Sequence, residues 1–100
     1  MISIREGETI FRYEVPVDDK WHAIELDDYP VHVGCRDVRV VEFWARYGDE
    51  GRRRKRLFRV VGTGHAMPKG AWRYVGTAVA GELVWHLIEG SGPGITWETS

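Results

Sequence analysis

The chain has one cysteine, Cys35, so it can form no intramolecular disulfide and no thiolate pair for a tetrahedral metal site. It has no apolar run near the roughly 20 residues that span a bilayer, and residues 1–7 lack the apolar stretch of a signal peptide. Both absences point to the reducing cytoplasm. Neither sign of charge dominates: 14 Lys and Arg stand against 15 Asp and Glu, a formal net charge of −1, which leaves no global field to draw in nucleic acid or an acidic membrane. At 100 residues there is no room for a two-domain enzyme. No segment sustains a 3.6-residue apolar repeat, and Gly76 and Gly81 break the stretch 71–88, whose alanines and leucines look helical.

What is present is punctuation and aromatic bulk. Twelve Gly and four Pro divide the chain into short pieces, and five Trp, four Tyr and three Phe are distributed among them. In residues 9–15, Thr9, Phe11, Tyr13 and Val15 alternate with Ile10, Arg12 and Glu14, the two-residue period of a half-buried strand. Pro16 ends it or places it at an edge. After Asp18 and Asp19, residues 20–26 set His22, Ile24 and Leu26 on one face, and the two segments read as a first hairpin. Residues 31–33 form a short extended piece that Gly34 interrupts. Residues 38–47 form the longest strand candidate and 57–61 the next, joined as a second hairpin through the turn 48–51. Residues 62–70 form a Gly- and Pro-rich loop, and residues 72–79 and 82–89 a third hairpin about Ala80 and Gly81. Six to eight short strands predict an all-β, antiparallel sandwich or barrel. One domain is expected over residues 1–90, with 91–100 as a loosely attached tail or edge strand.

Four features bear on function, each with a plain structural reading beside it. Arg52, Arg53, Arg54, Lys55 and Arg56 are five consecutive cations, placed by the turn before them at a hairpin tip. They read as a solvated strand end that blocks aggregation, or as a site for an anionic partner such as nucleic acid. Trp21, Trp44, Trp72 and Trp85 fall out of phase with their aliphatic neighbours, so the interior cannot hold them all. Outward indoles beside arginines suit a protein interface or self-association, against one enlarged aromatic core. Gly62, Gly64 and His65 mark the loop as a place for a small molecule or for chemistry.

The histidines and Cys35 have no spacing diagnostic of a metal site, and His32 and Cys35 converge only if Gly34 bends the strand. Cys35 with His32 or His65 as base has no recognisable oxyanion hole beside it and reads as a small buried thiol. Asp18, Asp19, Asp27 and Asp28 sit in turns, where Asp bonds to the backbone. No catalytic set, metal or cofactor is therefore expected.

Three stretches taken together resemble a known group: FRYEVPVDDKWH at 11–22, FRVVGTGHAMP at 58–68, and YVGT at 74–77 with LVWHL at 83–87. They are similar to small uncharacterised proteins encoded by actinobacterial phages and actinobacteria, over roughly residues 10–89. The resemblance implies no activity and no site residue. It implies a cytoplasmic setting in a bacterial host, where small phage proteins act by occupying surfaces. The expectation is a non-catalytic interaction module that binds a host protein or itself and forms homo-oligomers. The alternatives are nucleic-acid binding by the basic run and a small-molecule or enzymatic role at the loop.

Overall fold

The computed structural model describes residues 9–90, and the tail proposed at 91–100 lies outside them. Among the described residues there are seven strands: β1 (Thr9–Pro16), β2 (His22–Leu26), β3 (Pro30–Asp37), β4 (Val40–Tyr47), β5 (Arg54–Gly62), β6 (Trp72–Ala80) and β7 (Leu83–Gly90). A single 3-10 turn, Glu50–Arg52, precedes β5. The strands form two antiparallel sheets, ordered β1-β4-β3 and β2-β5-β7-β6. The fold is thus the expected all-β one, in its two-sheet, sandwich-like form.

Alternation builds the core. Val15, Val41, Phe43 and Ala45 from the first sheet meet Leu26, Phe58, Val60, Ala78 and Leu87 from the second, all essentially inaccessible. Phe43 and Phe58 touch across the layers with ring centroids 4.8 Å apart. These two rings bind the sheets as well as filling the space between them.

Two of the three expected hairpins are wrong. β1 pairs with β4 and β2 with β5, so β1 and β2 belong to different sheets. β4 and β5 do not pair either: β5 lies between β2 and β7. In both places a short connection crosses between layers instead of turning back within one, which strand periodicity does not distinguish. β4 is instead central in its sheet, between β1 and β3, and β3 runs through Gly34 to Asp37 with two irregularities in its register. The Asp37 side chain accepts the Arg39 N–H at 2.9 Å and closes that turn. The β6–β7 hairpin is as expected, and Gly81 takes φ +64° in its turn.

β3 and β6, each at an edge of its own sheet, pack along one seam. Gly76 makes that approach possible, because a Cβ there would sit 2.6 Å from Val33 Cγ2. The other edges, β1 and β2, lie on the opposite side. β5 and β6 both run antiparallel to the intervening β7, and are therefore parallel to each other. The connection 63–71 must return the length of the sheet.

Candidate interaction surface

The links 27–29 and 48–53 come together at one end of the sandwich and bring the basic run with them. Asp27 is buried there and accepts four hydrogen bonds: from Gly48 N–H at 2.7 Å, Asp49 N–H at 2.8 Å, Arg53 Nε at 2.6 Å and Arg53 Nη2 at 3.2 Å. The Arg53 bond, reinforced by the two backbone donors, outweighs desolvation and holds the Asp27 carboxyl well below the ordinary carboxylate range. Desolvation pushes the Asp28 carboxyl up, but Tyr29 N–H, Arg46 and Arg52 together bring it down. Arg46 bonds Asp28 directly, and Arg52 lies 3.7 Å from it.

The basic run is therefore not a hairpin tip. It is a link between sheets, and its charges are largely spoken for. Arg53 is held by Asp27, Arg52 faces Asp28, and Arg56 donates to Glu89 at 2.9 Å. Among the described residues, Arg54 and Lys55 alone in the run meet no carboxylate. Asp27, Asp28 and Glu89 supply the neutralising contacts, and no spacing rule connects them to the run.

Tyr29 and Tyr47 lie at this end with the arginines. The Arg56 and Arg73 guanidiniums sit over the Tyr29 ring at 4.2 and 4.1 Å, and both bond to buried Glu89. Tyr29 is 48% exposed. Arg53 lies 4.5 Å over Tyr47, whose ring stacks on Phe11 at 4.4 Å and 10°. The aromatic partners of the arginines at this end are tyrosines, not the tryptophans to which the sequence pointed.

All four nominated tryptophans are half-buried. Trp85 packs against the core, its indole N–H buried without an acceptor among the described residues. Register puts Trp44 on the outer face of the first sheet, where it contacts His32 at 5.5 Å. It puts Trp72 on the outer face of the second, and Trp21 lies 5.9 Å from the Arg59 guanidinium of that face. The expectation that the interior cannot hold them all is met, while the large apolar side chains most open to solvent among the described residues are others: Ile10, Phe11, Tyr29, Val38, Met67, Tyr74, Val79 and Leu83.

The loop 62–70 lies beside a polar cluster that residue types alone did not disclose. Thr63 Oγ1 is 2.7 Å from His86 Nε2, and Tyr74 OH is 2.7 Å from His86 Nδ1 and also bonds Thr77. Thr63 Oγ1 also donates to Val84 O at 3.3 Å, which leaves it to accept from His86 Nε2–H and Nδ1 to accept from Tyr74. A hydroxyl against an imidazole is the beginning of a nucleophile and base pair. Here a phenol stands where a carboxylate would steady the charged ring, and the cluster is open to water. His65 is not part of it; its ring lies 3.1 Å from where a Gly62 Cβ would be, close to Trp85.

Cys35 donates to the carbonyls of Asp37 and Val40 at 2.8 and 3.2 Å. Burial pushes its thiol up, helped by the Asp37 and Glu42 charges and opposed by the backbone of Asp37. No group of three or more His, Cys, Asp or Glu among the described residues could hold a metal ion. No helix among them is long and apolar enough to cross a membrane.

A small two-sheet β module that sets arginines over tyrosines at one end is the class that fold and site define. The chain belongs to a family known by its domain of unknown function, DUF7352, whose model matches residues 6–96. Comparison with curated proteins gives no match, and comparison with solved structures gives none.

Proposed function

We propose that this chain is a non-catalytic protein-binding module and that Tyr29 is the centre of its contact surface. The observation that supports this is the way Glu89 holds Arg56 and Arg73 over an exposed tyrosine ring. Tyr and Arg are the side chains most often found at the energetic centre of protein interfaces, and binding costs least where they are already immobilised. Internal pairing of Arg52, Arg53 and Arg56 leaves the basic run weak as a phosphate site and well suited to a protein surface with carboxylates at its rim. The resemblance to phage and actinobacterial proteins makes a protein of an actinobacterial host the partner to seek.

The test is affinity capture from an actinobacterial lysate with the wild-type chain and Tyr29→Ser side by side, quantified by mass spectrometry. A protein enriched by the wild type and lost with a folded Tyr29→Ser supports the reading. Equal enrichment by both moves the surface elsewhere, and no enrichment over a blank matrix overturns the proposal. Labelled DNA or RNA shifted at low salt, and released by Arg54→Ala with Lys55→Ala, would favour the nucleic-acid alternative instead.

A further inference from the structure

We propose that the chain also self-associates through β1, two copies of this strand pairing antiparallel about a two-fold axis so that their three-stranded sheets join as one. This surface is separate from Tyr29 and goes beyond the reading above. β1 is an edge strand, paired on one side with β4 and with no strand on its other side among the described residues. It exposes Ile10 and Phe11, each 45% accessible. An eight-residue edge with apolar side chains is a template for another strand.

Backbone direction specifies what that edge offers. The Val17 N–H bonds to Arg39 O at 2.9 Å, continuing the register in which Val15 faces Val41. Hydrogen-bonded pairs alternate along an antiparallel ladder, so the odd residues of β1 direct their N–H and C=O to β4. Ile10, Arg12 and Glu14 direct theirs outward, and Pro16 offers only a carbonyl.

A two-fold axis normal to the sheet leaves every side chain on its own face, so residues of like parity must align. Among such registers, the one that sets Arg12 opposite Glu14 of the second copy pairs opposite charges twice. A shift of two residues in one direction puts Arg12 on Arg12, and in the other Glu14 on Glu14. The favoured register exchanges backbone bonds between Arg12 and Glu14 and lets Ile10 N–H donate to Pro16 O, about six interchain bonds in all. It also brings Phe11 alongside Val15 of the second copy.

Glu14 carries the other half of the argument. It stands opposite Glu42, which is buried beneath Arg36 and Arg12; Arg36 bonds it at 2.8 to 3.1 Å and Arg12 lies 3.2 Å away. Glu14, Arg36, Asp37, Val40 and Glu42 line a cleft of about 330 Å³ on this outer face. Among the described residues no cation reaches Glu14, and like charges directly opposite one another destabilise a sheet. Arg12 of a second copy supplies the missing cation.

Sedimentation velocity over a concentration series tests this with the full chain. The wild type is expected to dimerise, and Glu14→Arg to raise the dimer dissociation constant about tenfold or more, since it creates two like-charge pairs. Arg12→Glu should do the same, and an equimolar mixture of the two variants should dimerise again, because each then meets its opposite. Glu14→Arg decides alone if Arg12→Glu fails to fold for want of its Glu42 contact, with circular dichroism confirming the fold. A wild type that stays monomeric to its solubility limit, or a Glu14→Arg dimer as tight as the wild type, overturns the proposal. So does a mixture of folded variants that stays monomeric. Tyr29→Ser should leave the dimer intact, so loss of partner capture and loss of self-association are read separately.

Discussion

Cys35 illustrates how little a residue type says before its neighbours are known. Two carbonyls take its thiol hydrogen and burial raises its pKa, so at neutral pH it is a thiol that packs, not a thiolate that attacks. Alkylation by iodoacetamide at pH 7.5 should be much slower in the native protein than in the urea-unfolded chain, as followed by intact mass. Equal rates would show that the two carbonyl bonds do not protect it. Asp27 is the converse case. A turn aspartate by its sequence context, it is in the structure the buried acceptor that joins Arg53 to the backbone of residues 48 and 49. Its sequence position alone showed a turn, since Asp-Asp before Tyr-Pro is turn chemistry, while the arginine it serves is 26 residues away.

At the scale of elements, the strands were legible and most of their partners were not. Alternation marks β1, β4 and β5 without reference to anything distant, because which face a side chain takes depends only on chain parity. A glycine able to adopt positive φ also marked the β6–β7 turn. The connections 17–21 and 48–53 look equally turn-like, yet each crosses between layers, a choice made by where the apolar faces are buried. The seam between β3 and β6 depends on Gly76. Gly76→Ala would place a methyl 2.6 Å from Val33 Cγ2 and 3.0 Å from its Cβ, and is expected to cost about 1–3 kcal/mol in urea unfolding. Val33→Ala in the same chain should recover part of that cost, a coupling measurable in a double-mutant cycle. Simple additivity of the two would show that the strands are not in contact there.

For the whole molecule, acid should be the most informative denaturant. The carboxyls of Asp27, Asp28 and Asp18 are all held below their ordinary values in the fold. A depressed carboxyl contributes stability that is complete above its unfolded pKa of about 4 and is lost as pH falls through the folded value. Urea midpoints should therefore be flat above about pH 5 and fall steadily below it. Asp27→Asn is expected to be less stable by about 1–3 kcal/mol at pH 7, through weakened bonds to Arg53 and the two N–H groups. Its deficit should narrow as the wild type is acidified, and a constant deficit between pH 7 and pH 2 would exclude Asp27 as a source of the acid sensitivity.

By itself the sequence determined an all-β chain of six to eight short strands, the alternating faces of those strands and the tight turn at Gly81, because period and turn chemistry are local properties of the backbone. It also carried the surplus of aromatic and basic side chains from which any contact surface must be made. The tertiary structure alone decided which strands are neighbours and, of the two readings Pro16 allows, that β1 lies at an edge of its sheet among the described residues. It likewise decided that Glu89 draws Arg56 and Arg73 over Tyr29 and that Asp27 takes Arg53 out of the basic run. The reason is the same in each instance: these contacts join residues far apart in the chain, and burial of the two apolar faces, not local preference, brings such residues together.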